Sequence, residues 1–170
     1  FSVAFSNNGK YLASGAWDNT IRIWSTKQWR CLRILPGHNN WISMVIFDPT
    51  GRYLASASAD GTVKIWSTER WNCLKTIKIG DTTVRSIVFS PDGNYLAVGD
   101  TKKTISIFST YDWQLKKSIA EHLEQVLTIS FSPDGHFFVS AGDKDGSIRI
   151  FSAENWQSLK LLKHHKDIVR

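Results

Sequence analysis

The sequence has no apolar run near the ~18–20 residues that cross a bilayer, which excludes a membrane-spanning helix. It holds two cysteines in 170 residues, too few for a disulfide scaffold. Four prolines and eleven glycines exclude a collagen-like chain or a low-complexity linker. Charged residues at 21% and hydrophobic residues at 42% exclude a disordered tail and describe an ordinary globular protein. Glycine-rich phosphate loops and zincin patterns are missing. What the chain has in excess is tryptophan, with eight. The net charge of +6 is modestly basic and bears on solubility and encounter rather than on fold.

A repeat organises the whole chain. Phe5, Phe47, Phe89 and Phe131 are spaced by 42, and so are Gly9, Gly51, Gly93 and Gly135. Trp24, Trp66 and Phe108 keep that step, and Phe151 follows at 43 because one residue is added within Gly142–Gly146. A second series runs Trp29, Trp71, Trp113 and Trp156. The repeats fall at about 1–42, 43–84, 85–126 and 127–169.

Each repeat reads as four strands. In the second, Ser43–Phe47 is a short apolar run closed by Pro49-Thr50-Gly51. Tyr53–Ala57 follows, and then Asp60-Gly61, the chemistry of a two-residue hairpin. Thr62–Trp66 alternates apolar and polar, as a half-exposed strand does, and Cys73–Ile77 completes the set. The first strand is apolar on both faces, which predicts a buried inner strand and outer strands that meet water. No segment sustains helical periodicity.

Cys31 and Cys73 occupy equivalent positions of neighbouring repeats. Packed sheets lie about 10 Å apart, whereas a disulfide needs Cα atoms within about 7 Å. Both are expected to be free thiols, which suits an intracellular, reducing compartment, cytoplasm or nucleus.

Four-stranded repeats of this length, with Trp ending the third strand, resemble the WD-repeat β-propeller family. Gly37-His38 matches the family's glycine-histidine pair, and Trp24-Ser25 and Trp66-Ser67 stand where the Trp-Asp dipeptide falls. Ser-Pro-Asp-Gly turns stand at 90–93 and 132–135. The resemblance implies an all-β propeller of four-stranded antiparallel blades. Closed rings of the family usually hold more than four blades. The chain is therefore expected to be part of a larger ring, with the remaining blades in the same longer chain or in a second copy.

In that family a buried His, a Ser or Thr, a turn Asp and a Trp form a hydrogen-bonded chain in each blade. Carried over by position, the second repeat has His38, Ser56, Asp60 and Trp66. The fourth has His122, Ser140 and Asp145, with Phe151 in the Trp place and so one N–H short. The first has Ser14, Asp18 and Trp24. The third has Gly80, Val98, Lys102 and Phe108, so every member is replaced together, and apolar packing alone is expected to hold that blade.

A Ser, His and Asp in one repeat also suggest a hydrolase triad. The reading fails because a nucleophile needs an exposed elbow and an oxyanion hole, while Ser56 lies within a strand and recurs as Ser14 and Ser140. His38, His122 and His165 recur at the blade period and cannot converge on one metal ion. No cofactor, metal or catalytic residue is expected. Direct nucleic-acid binding is a weaker alternative, since the basic residues are scattered through all repeats and would matter only if gathered on one face.

The regular Trp ladder is expected to shield blade edges, each ring lying over its neighbour. Trp17 and Trp41 belong to no such series. The family's partner contacts come from the residue before the turn Asp and from the start of the inner strand. Those places give a candidate partner-binding set of Trp17, Trp41, Ser43, Arg85 and Lys144. The reading is a non-catalytic scaffold for other proteins within a multi-protein complex, with no membrane role. The alternatives are a subunit of an RNA or chromatin complex, or a regulatory propeller joined to a catalytic domain elsewhere.

Overall fold

The computed structural model of the chain describes residues 2–142, 146–163 and 165. All regular structure in them is β. The first sheet holds β1 (Ser2–Phe5), β2 (Tyr11–Gly15), β3 (Ile21–Ser25) and β4 (Cys31–Leu35). The second holds β5 (Ile42–Phe47), β6 (Tyr53–Ser58), β7 (Thr62–Ser67) and β8 (Cys73–Lys78). The third holds β9 (Val84–Phe89), β10 (Tyr95–Asp100), β11 (Ile105–Ser109) and β12 (Leu115–Ile119). The fourth holds β13 (Val126–Phe131), β14 (Phe137–Gly142), β15 (Ser147–Ser152) and β16 (Ser158–Lys163). Each sheet is an antiparallel meander in chain order, so one blade is one repeat. In the second repeat each strand runs one residue beyond the stretch expected from its pattern.

Period-two alternation sets what each strand buries. In β7, Val63 and Ile65 are fully buried while Thr62 and Lys64 are half-buried. A register shift between the third and fourth strands recurs in every blade, at Ile23/Trp24, Ile65/Trp66, Ile107/Phe108 and Ile150/Phe151. Such a bulge re-aims a side chain, here the aromatic that ends the third strand. The fourth strands are sheet edges and mostly exposed. Each carries a cation opposite an isoleucine of the third strand: Arg33, Lys75, Lys117 and Lys160. A charge on an open edge discourages pairing with a foreign strand.

Burial differs from the expected gradient. It is deepest in the second and third strands, notably β6, β10 and β11, and not in the first. Middle strands have bonded neighbours on both edges. In β6 the small Ala55, Ser56 and Ala57 also admit close packing, and all three are fully buried.

The chain divides into two compact halves, Phe1–Val84 and Arg85–Arg170. In the first half, β1 and β2 pack on β5. The approach is so close that a Cβ on Gly15 would lie 2.4 Å from Ile42 Cγ2, which only glycine avoids. The Ile42 N–H donates to the Ala16 carbonyl at 3.0 Å, and the Asn7 amide donates to the Asp48 and Pro49 carbonyls at 3.2 and 2.6 Å. Ile23, Leu35, Ile42, Val45 and Trp66 belong to the core of this half. In the second half β10 packs on β13, and Ser86 Oγ accepts the Ile129 N–H at 3.1 Å. Ile105, Ile107, Val126, Phe138 and Phe151 belong to its core.

The recurrent tryptophans sit in the turns between third and fourth strands, all at positive φ: 51° at Trp29, 57° at Trp71 and Trp113, and 62° at Trp156. Trp71 stands edge-on to Tyr11 of the preceding blade at 5.1 Å. Trp156 does the same to Tyr95 at 4.9 Å.

Candidate functional site

The most connected polar group lies in the second blade. His38 stands in the loop before β5, Ser56 in mid-β6, Asp60 in the β6–β7 turn and Trp66 near the end of β7. Trp66 Nε1–H donates to Ser56 Oγ at 2.9 Å. Ser56 Oγ lies 2.8 Å from His38 Nε2, and His38 Nδ1 lies 2.8 Å from Asp60 Oδ2. One consistent set of protons satisfies all of them: Trp66 donates to Ser56, Ser56 to Nε2, and Nδ1–H to the carboxylate. Asp60 also accepts the Asn39 N–H at 2.9 Å, and the Thr62 N–H and hydroxyl at 2.9 and 2.7 Å. The hairpin leaves no room for variation, since a Cβ on Gly61 would meet the Gly80 carbonyl oxygen at 2.0 Å and φ there is +77°.

Burial holds the His38 pKa below its ordinary value, and the Asp60 carboxylate offsets this only in part. The ring is therefore neutral at neutral pH. Burial also pushes the Asp60 carboxyl up, but hydrogen bonds from Thr62, Asn39 and His38 outweigh it and hold the pKa low. Both shifts act in one direction. Below the ordinary histidine value of 6.5 the unfolded chain takes up a proton that the folded His38 refuses. Stability is therefore full above that pH and falls as pH drops towards the depressed folded value. The Asp60 contribution is present above 3.8 and is lost as pH falls through its lower folded value. Unfolding midpoints measured between about pH 7 and about pH 5 are expected to decline in the parent and to decline less in His38→Gln. Equal slopes would exclude His38 as the titrating group.

The distances within Ser56, His38 and Asp60 are those of a hydrolase triad, but the access is not. Ser56 is fully buried, and its oxygen already accepts the Trp66 N–H. No attacking position is open to a substrate.

The other blades hold fragments of the same chain. In the first, Trp24 Nε1–H donates to Ser14 Oγ at 2.9 Å. Asp18 is exposed and binds Thr20 and Arg22 instead. In the fourth, His122 Nε2 lies 2.6 Å from Ser140 Oγ. Phe151 stacks on Phe138 at 4.7 Å and 8°, so a ring contact replaces the missing indole bond. Asp145 and Lys144 lie outside the described residues.

The third blade departs from the expectation of purely apolar packing. Asp100, at the end of β10, is buried and accepts the Thr104 N–H at 3.0 Å and the Lys102 N–H. The turn acceptor has moved two residues upstream of the Lys102 position. Burial pushes its pKa up, and these backbone donors counter the shift only in part. Lys103 takes φ 70° where Gly61 stands in the second blade. A reading confined to matching columns misses this acceptor. The Asp100-Thr101…Thr104 run carries the signal, an Asx acceptor before a threonine.

Trp17 and Trp41 come together. Their rings stack at 5.7 Å and 26° across the loops of adjacent blades, and Trp17 is 68% exposed. Ser43 does not present its hydroxyl beside them, because Oγ donates to the Val84 carbonyl at 2.6 Å. Arg85 starts the second half and is half-buried in β9. No group of three or more His, Cys, Asp or Glu suited to a metal ion occurs among the described residues. No helix among them is long and apolar enough to cross a membrane. Cys31 and Cys73 are free, exposed thiols.

Repeated four-stranded meanders, with a Trp–Ser–His–Asp chain tying loop, hairpin and strand, define a β-propeller blade protein. The sequence matches the family "WD domain, G-beta repeat" at residues 1–25, 29–67, 71–109 and 113–152, and the chain belongs to the WD40 family. It is 46% identical over 39 residues to Nuclear distribution protein PAC1 of Cryptococcus neoformans var. neoformans serotype D, in strains JEC21 and B-3501A alike. Over 39 residues it is 44% identical to the protein of the same name from Mycosarcoma maydis. Each match covers 23% of this chain and 9% of the relative. WD40 repeats mediate protein–protein interactions, and the family is generally non-catalytic.

Proposed function

We propose that the chain is a non-catalytic scaffold that holds other proteins within a multi-protein complex, and that the stacked Trp17–Trp41 pair is its contact for one of them. The pair is the observation that supports this reading. Two large rings from adjacent blades lie together at the surface, and neither belongs to the recurrent series in which Trp71 and Trp156 pack on a neighbouring blade. Tryptophan is enriched among the few residues that dominate binding energies. Rigid blades fix both loops, so a partner binds with little ordering cost. The two free thiols support a reducing, intracellular location.

A further blade ahead of the first is part of the same proposal. Val3 and Phe5 on β1 are 70% and 60% exposed, while Val45 and Phe47, their counterparts on β5, are 1% and 9% exposed. Apolar faces of this kind are normally covered. The blade that covers this one would come from a longer chain or from a second copy.

Trp17→Ala combined with Trp41→Ala is expected to weaken partner binding by roughly 2 kcal/mol, about thirtyfold, with an unchanged melting temperature. Quantitative co-purification of the partner set from the native cell measures this. Full recovery with the double variant would end the assignment of this site.

A further inference from the structure

In an antiparallel meander the first and third turns fall on one edge of the sheet, and the second turn and the exit loop fall on the other. Asn7, in the first turn of the first blade, binds the Asp48 and Pro49 carbonyls in the first turn of the second. The two blades of the first half therefore share one such edge, formed by residues 6–10, 26–30, 48–52 and 68–72. It carries five exposed cations, Lys10, Lys27, Arg30, Arg52 and Arg70, against one exposed carboxylate, Glu69, and one buried one, Asp48. The opposite edge, residues 16–20, 36–41, 59–61 and 79–83, contains no Lys or Arg and three aspartates. Arg22, Lys78 and Arg85, at nearby strand ends, are the cations closest to it in sequence, and Arg22 is bound to Asp18 at 3.2 Å.

The fold does not need these cations. The side chains of Lys10, Lys27, Arg30 and Arg70 make no hydrogen bond or ion pair among the described residues. Arg52 alone is engaged, with Thr50 and over the Tyr53 ring. The sign of the edge is not dictated by turn chemistry either. The Ser6–Lys10 turn is closed by the neutral Asn8, which accepts from Ser6 Oγ and the Lys10 N–H. The matching turns of the second half use Asp92 and Asp134 for the same bonds. There the corresponding turns, 90–94, 110–114, 132–136 and 153–157, carry four acids and no Lys or Arg. One turn design serves with either sign, and in the first half the exposed charges it presents are mainly cationic.

The first blade's part of this edge is indented. An open depression of about 440 Å³ lies between the two turns of the first blade, lined by Lys10 and Lys27, by Ser25, Thr26 and Gln28, and by the apolar Tyr11 and Leu32. We infer that this edge of the first half binds a carboxylate-rich, partly apolar segment of a partner protein, with Lys10 and Lys27 gripping its acids above the Tyr11–Leu32 floor. The turn N–H groups cannot cradle a phosphate as a backbone nest would. Those of Gly9, Gly51, Trp29 and Trp71 are already donated within their own turns. That leaves long flexible cations beside an apolar floor, which suits acidic peptide. The inference rests on the family's role in protein interaction and is independent of the Trp17–Trp41 site.

Fluorescence anisotropy on the whole chain, with a fluorescein-labelled peptide of alternating Glu and Leu, tests it. The peptide is expected to bind, more weakly as salt is raised. Lys10→Glu with Lys27→Glu should lower affinity about tenfold or more. The charge-matched Lys117→Glu with Lys160→Glu, on fourth strands of the second half, should leave it within about twofold. Should the first double variant melt early, Lys10→Gln with Lys27→Gln replaces it and the same loss is expected. Undiminished binding by a folded double variant overturns the inference. So does equal binding of a Lys–Leu peptide, or tighter binding of a single-stranded oligonucleotide, which would transfer the edge to nucleic acid. Trp17→Ala with Trp41→Ala should still bind the peptide. Peptide failure alongside Trp-dependent partner capture would remove this inference and leave the scaffold reading standing.

Discussion

Phe138→Ala is expected to destabilise the chain by about 3–5 kcal/mol, the range for emptying a fully buried aromatic site. Phe138 has no exposed surface and lies flat on Phe151, with Phe131 and Trp156 at 5.6 and 5.9 Å. The first three blades hold leucine at this place, Leu12, Leu54 and Leu96, each paired in register with the aromatic that ends the third strand. Where Leu12 and Leu54 occur with tryptophan, the indole reaches a serine at 2.9 Å. Phe138 and Phe151 are thus a matched exchange of one bond for one stack. Phe138→Leu alone leaves a void, and Phe151→Trp alone crowds Phe138. The two together rebuild the Leu–Trp–Ser arrangement on Ser140 and should cost less than the sum of the singles. Denaturant melts of the three variants in the whole chain give the coupling. Strict additivity would show that the two rings are not a unit.

Asp60→Ala should cost about 1–3 kcal/mol, the usual penalty for orphaned buried donors. The carboxylate satisfies His38 Nδ1–H, the Asn39 N–H and Thr62 together. Lys102→Ala, at the same column of the third blade, should be close to neutral because its side chain is exposed and Asp100 holds that turn. Thermal melts of the two variants decide it. Equal losses would mean that the Trp–Ser–His–Asp chain carries no stability of its own.

The blades are legible in the sequence because each must solve the same packing problem, so the answers recur at one interval. Trp24 and Trp66 mark strand ends, and Asp60-Gly61 marks a hairpin, from local chemistry alone. What escapes is substitution by a different device. Asp100 closes its turn from two residues away, and comparison of columns returns only Lys102. Phe151 reads as a lost donor until Phe138 is found against it, and nothing in either residue alone announces the stack. The Trp17–Trp41 contact joins loops of two blades 24 positions apart, so spacing could single out each ring but not their meeting. Burial depth escapes for a similar reason. Apolar character on both faces of β5 says what the strand tolerates, whereas the small residues of β6 govern how closely neighbours approach.

Four tryptophans held at φ between 51° and 62° have an effect on how the molecule comes apart. A left-handed backbone costs an L-residue about 1–2 kcal/mol, so each of these turns is locally unfavourable. For Trp71 and Trp156 the offset comes from outside their own blade, through the rings of Tyr11 and Tyr95. A blade that opens thereby withdraws support from a turn in its successor. Strain in one repeat is balanced by surface in another, so nearest-neighbour terms add to the intrinsic stability of each sheet. Melting within each half should accordingly be cooperative, with few populated states in which one blade is open and its neighbour intact.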